Sequence, residues 1–270
     1  MAVSVTAEEL AGLVTRLRAG GSVFAEEEVD LLVAEARTPD QLSAMTADRA
    51  AGRPLEQVLG WAEFCGLRIF VAPGVFVPRR RTQLLAERAI DEVLDRIHGE
   101  PPPVVLDLCC GTGAIGAAVL ATAPTVELFA ADIDPIAVRC ARGNLAAGAT
   151  VLEGDLFRPL PGRLHGRIDV LLVNAPYVPT DAIALMPPEA RVHEASTALD
   201  GGPDGLYVLM RVVAEAPKWL RPDGVLLIES SAAQVPALTA AMAASGLSTR
   251  VERSDEVGGT VVIGERRSRS

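Results

Sequence analysis

Short, mostly apolar runs alternate with longer segments from Val104 onward, and this alternation limits the possible folds more than any other feature. The runs have the length of strands and the segments between them have the length of helices. Strands separated by helices predict a parallel sheet that is covered on both faces. The predicted strands are Val104–Leu108, Val126–Ala131, Thr150–Glu153, Ile168–Val173 and Val225–Glu229. The predicted helices are Ala114–Ala123, Pro135–Ala146, Gly205–Leu220 and Val235–Ser245.

The segments that flank this alternation predict a helical bundle and two hairpins. Helix-start signals and glycine stops favour helices that begin near Thr6, Glu26, Thr38, Leu55 and Thr82. A change to strand-like residues predicts a hairpin between Phe64–Val71 and Val75–Val77, with its turn at Ala72-Pro73-Gly74. Ser248–Arg253 and Thr260–Gly264 have the spacing of a late hairpin. The predicted organisation is a helical bundle (residues 1–62) as a candidate substrate-recognition domain, a β-hairpin linker (63–78) and a ligand-binding domain (79–270).

A glycine-rich loop follows the first strand of the predicted sheet. Gly111, Gly113 and Gly116 have the spacing G-x-G-x-x-G, which lets the backbone approach a ligand at the start of a helix. Asp132 ends the next strand, where a carboxylate can bind a ribose diol. This pattern alone fits both a nicotinamide dinucleotide and S-adenosylmethionine (SAM).

Three features favour SAM. Asp107 lies in the strand before the glycine loop, where it can meet the amino end of a methionine moiety. Asp155 follows the third strand and can meet the adenine amino group, with Leu156 beside the ring. The loop Asn174-Ala175-Pro176-Tyr177 follows the fourth strand, at the edge where open α/β sheets bind ligands. A strand-to-loop turn is the simpler interpretation of that loop taken alone.

Composition excludes several other functions. The net charge is −10 and the pI is about 4.9, which disfavours a protein that binds nucleic acid through phosphate contacts. No apolar run approaches a membrane span and no secretory leader is evident, so a cytoplasmic location is expected. The four cysteines and three histidines have no metal-ligand spacing, and no metal is predicted. Two local basic clusters are exceptions: Arg79-Arg80-Arg81, and Arg266-Arg267 with Arg269.

The chain resembles the HemK/PrmC family of protein glutamine N5-methyltransferases, and in particular a PrmC-related branch of actinobacteria. The resemblance extends over nearly the whole chain. It rests on Arg53–Leu55, Leu59-Gly60, Phe64–Gly66, Pro73–Arg79, Leu106–Gly113, Asp132–Pro135, Gly154–Phe157, Asn174–Tyr177, His193-Glu194, Ala198–Gly202 and Asp204–Leu206.

The family implies a class I SAM-dependent methyltransferase fold, that is, a Rossmann-like seven-stranded sheet, with a small N-terminal helical domain and a hairpin linker. It also implies SAM as methyl donor, S-adenosylhomocysteine as product, and a class I peptide chain release factor as substrate, methylated at the glutamine of a Gly-Gly-Gln tip. The implied cofactor-binding residues are Asp107, Gly111, Thr112, Gly113, Asp132, Ile133, Asp155, Leu156 and Asn174. The implied catalytic residues are Asn174, Ala175, Pro176 and Tyr177.

Several positions depart from the family pattern. The family loop is Asn-Pro-Pro-Tyr, and its second residue is Ala175 here. After Pro78-Arg79 the family usually has proline, an acid, Thr and Glu, whereas this chain has Arg80, Arg81, Thr82 and Gln83. A cysteine of the Cys109-Cys110 pair replaces the first glycine of the cofactor loop. The segment 255–259 replaces an arginine-rich turn. These changes preserve the expected fold but leave the substrate open.

An amide nitrogen is a poor nucleophile, and catalysis can therefore consist mostly of placing it in line with the methyl group. The hypothesis is that the Asn174 side-chain oxygen and the Ala175 carbonyl accept the two N–H bonds of the target, while Tyr177 packs against its plane. The alternatives are a small-molecule N-methyltransferase, an adenine-N6 nucleic-acid methyltransferase, an NAD-binding oxidoreductase and a SAM-sensing protein without activity.

Overall fold

The first and third of the N-terminal helices begin at threonines that satisfy free backbone groups. In the computed structural model, which describes residues 3–99, 101–145 and 148–267, Thr6 Oγ1 accepts a hydrogen bond from Glu9 N at 3.3 Å, and Glu9 Oε2 accepts one from Thr6 N at 2.7 Å. Thr38 caps the third helix by accepting from Gln41 N at 3.1 Å. The helices are α1 (Ala7–Ala19), α2 (Ala25–Glu35), α3 (Pro39–Ala50) and α4 (Leu55–Leu59).

The hairpin exists, but its predicted strands were wrong. Strand β1 (Trp61–Phe64) pairs antiparallel with β2 (Leu67–Phe70), so the turn lies at Cys65-Gly66 and not at Ala72-Pro73-Gly74. Cys65 and Gly66 have φ values of 50° and 75°, and two successive left-handed residues make the tight turn that matches strand twist. Cysteine is not a typical residue for that conformation, which is why the sequence favoured the Pro-Gly pair instead.

The central sheet has seven strands. They are β3 (Val104–Leu108), β4 (Glu127–Asp132), β5 (Ala149–Glu153), β6 (Ile168–Val173), β7 (Leu220–Glu229), β8 (Leu247–Ser254) and β9 (Gly259–Arg266). Their order is β5-β4-β3-β6-β7-β9-β8; β9 runs antiparallel to β7 and β8, and the pairs from β5 to β7 are parallel. Strands β3 and β6 occupy the middle and are buried along their whole length, as their apolar sequences predict.

Helices cover both faces of the sheet. They are α5 (Gln83–Leu94), α6 (Ala114–Thr122), α7 (Pro135–Leu145), α9 (Tyr207–Trp219) and α10 (Val235–Ala244), and a further short helix, α8 (Pro188–His193), forms in the connection between β6 and α9. Helices α5, α6 and α7 pack on one face, around Leu85 and Val119, while α9 and α10 pack on the other, around Leu209 and Leu238. The predicted mixed α/β architecture is therefore confirmed.

The differences from the predicted elements are local. Strand β7 begins at Leu220, five residues before the predicted start, because its first part pairs with Ile168 across an irregularity in the register. Helix α8 was not predicted, since it is a single short run between 3-10 turns. Ala146, the predicted end of α7, and Arg269 of the basic tail lie outside the described residues.

Candidate active site

A cavity of about 510 Å³ opens at the carboxyl ends of β3, β4 and β6, where doubly wound sheets bind their ligands. Its volume lies within the range usual for ligand sites. Its wall includes most of the predicted site residues: Gly111, Thr112, Asp132, Ile133, Asp155, Leu156, Asn174, Ala175, Pro176 and Tyr177. Asp107 and Gly113 lie behind this wall and not on it.

The glycine loop is held in shape by Asp132. Gly111 N donates to Asp132 Oδ2 at 2.8 Å, and Asp134 N donates to Asp132 Oδ1 at 2.9 Å. Burial raises the pKa of Asp132. Cys109, at the position of the family's first glycine, has φ of 59°, the left-handed conformation that a glycine adopts without strain. Cysteine therefore stands here in a backbone conformation that suits glycine.

Asp107 is a buried acid at the base of the loop. Its Oδ2 accepts a hydrogen bond from Gly116 N at 3.0 Å, and a β-carbon at Gly116 would approach that oxygen to 3.3 Å. Oδ1 is buried without a hydrogen-bond partner in the described residues. Burial, the largest effect, raises the pKa of Asp107 to about 7. A negative charge behind the loop, with an unsatisfied acceptor atom, fits a cationic ligand group.

The far end of the cavity carries an ion pair that the sequence did not indicate. Arg211 Nη2 donates to Asp155 Oδ2 at 2.7 Å. Leu156 has φ of 50° and is buried, while Ile133 is exposed at the opening. An acid and two aliphatic side chains therefore lie where the sequence predicted an adenine site, and Arg211 fixes the acid.

The loop after β6 presents an amide oxygen and an aromatic ring. Asn174 Nδ2 donates to Thr82 Oγ1 at 3.3 Å, which orients the amide and leaves Oδ1 for a ligand. Ala175 is buried in the core. Gln234 Nε2 donates to the carbonyl oxygen of Tyr177 at 2.9 Å, so α10 supports the loop from below.

The phenol of Tyr177 is part of a small buried network. Its hydroxyl donates to Glu229 Oε1 at 3.0 Å, and Arg81 Nε donates to the same oxygen at 3.3 Å. Burial, followed by the neighbouring Glu229 charge, raises the pKa of Tyr177 well above its ordinary value. The phenol therefore stays protonated at neutral pH and acts as a hydrogen-bond donor.

Glu194 joins the segment that follows the hairpin to the cavity wall. Val77 N and Arg79 Nη2 donate to its Oε1 at 3.2 and 2.5 Å. Burial raises the pKa of Glu194, an effect that Arg79 opposes. The resemblance had marked His193-Glu194 without a role, and the contacts indicate that Glu194 holds the chain on either side of the cavity opening.

Within residues 3–99, 101–145 and 148–267, no three His, Cys, Asp or Glu side chains are arranged to hold a metal ion. In the same residues no helix has the length and apolar character needed to cross a membrane.

The strand order and the cavity define the class I SAM-dependent methyltransferase fold. Residues 67–206, more than half of the chain, match the model of the methyltransferase small domain. The 16S rRNA N2 G1207 methyltransferase of T. thermophilus has the same fold, with a TM-score of 0.54 at 22% identity over 77% of this chain and 50% of that one. The predicted fold class is thus confirmed.

Sequence comparison identifies the family. The chain is 33% identical to a release factor glutamine methyltransferase of Geobacter sulfurreducens, over 84% of this chain and 79% of the relative. A 4-amino-L-phenylalanine/4-methylamino-L-phenylalanine methyltransferase of Streptomyces pristinaespiralis is also 33% identical, over 73% of this chain and 68% of the relative. The chain belongs to the HemK/PrmC family of release factor glutamine methyltransferases, which confirms the resemblance seen in the sequence.

Proposed function

We propose that the chain transfers the methyl group of SAM to a planar amide nitrogen, the glutamine N5 at the Gly-Gly-Gln tip of a class I release factor. The observation that carries this proposal is the loop after β6. It lines the same cavity as the glycine loop and offers the oriented Asn174 amide oxygen beside the Tyr177 ring. Family membership supports the same reaction.

The residues of the glycine-loop side fit SAM. Asp132 would hold the ribose diol, Asp155 the adenine amino group, and Gly111 and Thr112 the methionine backbone, with the charge of Asp107 behind them. Asp107 Oδ1 is a buried acceptor without a hydrogen-bond partner in the described chain, as expected for a residue that serves a cationic ligand. When bound, SAM supplies a methyl group that its sulfonium centre already activates.

The protein then contributes position. Asn174 Oδ1 and the Ala175 carbonyl oxygen each accept a hydrogen bond from one of the two N–H groups of the target amide, and Tyr177 packs against the plane of that amide. These contacts point the nitrogen lone pair toward the methyl group and exclude other orientations. The nitrogen gains a carbon and loses one proton, which passes to solvent.

A small amine is the second candidate acceptor. The relative that is named for 4-amino-L-phenylalanine has the same 33% identity to this chain as the Geobacter sulfurreducens enzyme, over 73% of this chain instead of 84%. Ala175, which replaces proline of the family loop, lies on the wall of the acceptor side and lacks the locked φ of proline. An aromatic amine is planar and presents the same two N–H bonds.

Labelled SAM separates these candidates. The protein is incubated with a release factor, with the same factor carrying alanine for the Gly-Gly-Gln glutamine, and with 4-amino-L-phenylalanine, and the products are analysed by mass spectrometry. We expect methylation of the first acceptor at glutamine N5 and of neither control. Transfer only to 4-amino-L-phenylalanine would mean that the acceptor is a small amine and not a release factor.

Asn174→Ala tests the loop. We expect loss of at least about a hundredfold in turnover, because the acceptor nitrogen is no longer oriented, with SAM affinity by calorimetry nearly unchanged. Normal methylation by this variant would exclude Asn174 as the acceptor-binding residue.

A further inference from the structure

Three side chains at the acceptor side form one connected unit. Tyr177 and Arg81 both donate to Glu229 Oε1, at 3.0 and 3.3 Å, and the Arg81 guanidinium carbon lies 5.8 Å from the centre of the Tyr177 ring. Arg81 and Tyr177 line the cavity, and Glu229 ends β7 behind them. The phenol and the guanidinium thus depend on the same carboxylate oxygen for their positions.

The burial of Glu229 makes Arg81 necessary. The Glu229 side chain is 2% exposed, and its Oε2 is buried without a hydrogen-bond partner in the described residues. A buried carboxylate is costly unless a cation and hydrogen bonds compensate it. Arg81 is the cation in contact, and its own side chain is 45% exposed toward the cavity.

The same turn also supports the other acceptor residue. The 3-10 turn Arg80–Thr82 makes two contacts: Arg81 pairs with Glu229, and Thr82 accepts a hydrogen bond from Asn174. This is one of the segments in which the chain departs from the family that it resembles, since an acid is usual at the position of Arg81. A change of charge at this position therefore bears on the geometry of the acceptor site.

We propose that Arg81 and Glu229 are positioning residues that hold the Tyr177 ring against the plane of the acceptor, an inference that rests on the proposed function. Neither side chain touches the reacting atoms. Glu229 fixes the phenol through its hydroxyl, and Arg81 fixes the orientation of the Glu229 carboxyl group. If the two residues have this role, their substitution should impair turnover of the acceptor and leave the affinity for SAM unchanged.

Arg221 provides a matched control. Its Nη1 pairs with Asp169 Oδ1 at 2.7 Å, and the two side chains are 53% and 5% exposed, close to the values for Arg81 and Glu229. Asp169 lies at the start of β6, the end of the strand opposite Asn174. Arg81→Met and Arg221→Met therefore remove equivalent ion pairs, one at the acceptor side and one far from it.

The experiment compares kcat and KM for the release factor, the Kd for SAM and the thermal midpoint. We expect Arg81→Met to lower kcat/KM for the acceptor by about tenfold or more, with the SAM Kd within about twofold, and Arg81→Lys to recover part of the loss. Arg221→Met should leave all three constants within about twofold, since it touches no substrate group. Equal kinetic losses in the two Met variants would overturn the proposal.

A double-mutant cycle tests the route through the phenol. Glu229→Gln is measured alone and in a Tyr177→Phe background, which lacks the hydroxyl. Because the two residues act through one hydrogen bond, the second substitution should add less than about a twofold loss to the first. Fully multiplicative losses would mean that Glu229 does not act through Tyr177.

One measurement is independent of activity. The chain contains two tyrosines, so ¹³C-tyrosine labelling gives two ring signals, and Tyr207→Phe assigns them. We expect Arg81→Met and Glu229→Gln to move or broaden the Tyr177 signal, and Arg221→Met to leave it unchanged. If no acceptor is methylated by the natural sequence but this pattern holds, the proposed function fails, whereas the control of the Tyr177 position by Arg81 and Glu229 stands. An unchanged Tyr177 signal overturns the role.

Discussion

Asp107 makes the stability of the protein depend on pH near neutrality. Burial raises its pKa from an ordinary value of 3.8 to about 7, so the folded protein holds this proton more tightly than the unfolded chain. The resulting stabilisation is fully present below pH 3.8 and is lost as the pH rises through 7. At the pH of most cells the buried acid is therefore a source of instability, which a cationic ligand would relieve.

Asp107→Asn tests this dependence, because asparagine has the same shape but no titrating proton. In the absence of SAM, the free energy of unfolding of the natural protein should fall relative to that of the variant as the pH rises from 5 to 7. The shift is at most about 1.4 kcal/mol per pH unit. Chemical denaturation at several pH values measures it, and parallel curves for the two proteins would contradict the raised pKa.

Some site residues could be predicted because they follow strands that are visible in the sequence. Asp132 and Asn174 each come directly after an apolar run, and both line the cavity. Arg211 and Gln234 were missed, because each contacts the site across more than fifty residues of chain, Arg211 from within α9 and Gln234 from the residue before α10, and the pattern of both helices indicates packing alone. No short-range pattern encodes which way such a side chain points.

At the scale of an element, the turn before α9 controls the position of the catalytic loop. Gly205 has φ of 73°, and a β-carbon there would lie 2.2 Å from the carbonyl oxygen of Tyr177. Gly258, in the turn between β8 and β9, has φ of 69°, and a β-carbon added to it would have no non-neighbouring atom within 4 Å. The two glycines share a backbone conformation and differ in their surroundings.

Gly205→Ala should therefore displace Tyr177 and abolish methylation, whereas Gly258→Ala should retain it. Both substitutions carry the cost of a left-handed alanine, about 1–2 kcal/mol, and thermal unfolding measures that shared loss. A Gly205→Ala variant that is no less active than Gly258→Ala would mean that the loop tolerates movement of Tyr177.

Strands were easier to predict than the hairpin for a physical reason. Strands β3 and β6 lie between two other strands and two layers of helices, so nearly every residue is apolar and both predicted ranges match the structure. The hairpin has four residues per strand, and its turn depends on the positive φ of Cys65. Cysteine has no local preference for that conformation, so the sequence did not indicate the turn.

At the scale of the whole molecule, one buried arginine connects the bundle to the cavity domain. Arg49 donates to both carboxylate oxygens of Glu28, at 2.7 and 2.9 Å, and through Nη1 to Glu189 of α8 at 2.5 Å. Gln57 adds hydrogen bonds from α4 to Val75 and His193 carbonyls, both 3.2 Å. The bundle thus rests on the segment that borders the cavity, an arrangement that sequence patterns within separate helices do not contain.

Glu189→Gln and Arg49→Met separate docking from folding. Arg49→Met leaves Glu28 buried without its cation and should cost about 3–5 kcal/mol. Glu189→Gln keeps that pair and should change stability by less than about 1 kcal/mol, because Glu189 is partly exposed. If the bundle recognises the substrate, Glu189→Gln raises KM for an intact release factor and not for a short Gly-Gly-Gln peptide. Equal KM changes for both acceptors would contradict that role.

Asn144 attaches the hairpin to the glycine loop, so the hairpin does more than connect the bundle to the sheet. Its amide accepts from Phe70 N and donates to the carbonyl oxygens of Phe70 and Thr112, each at 2.8 Å. The last residue of β2 and the glycine loop are therefore joined by a single side chain of α7. A shortened chain that begins at Trp61 keeps this junction, and one that begins after Val77 loses it. A chain that keeps all three of these hydrogen bonds therefore includes Phe70, which lies well ahead of the first strand of the sheet.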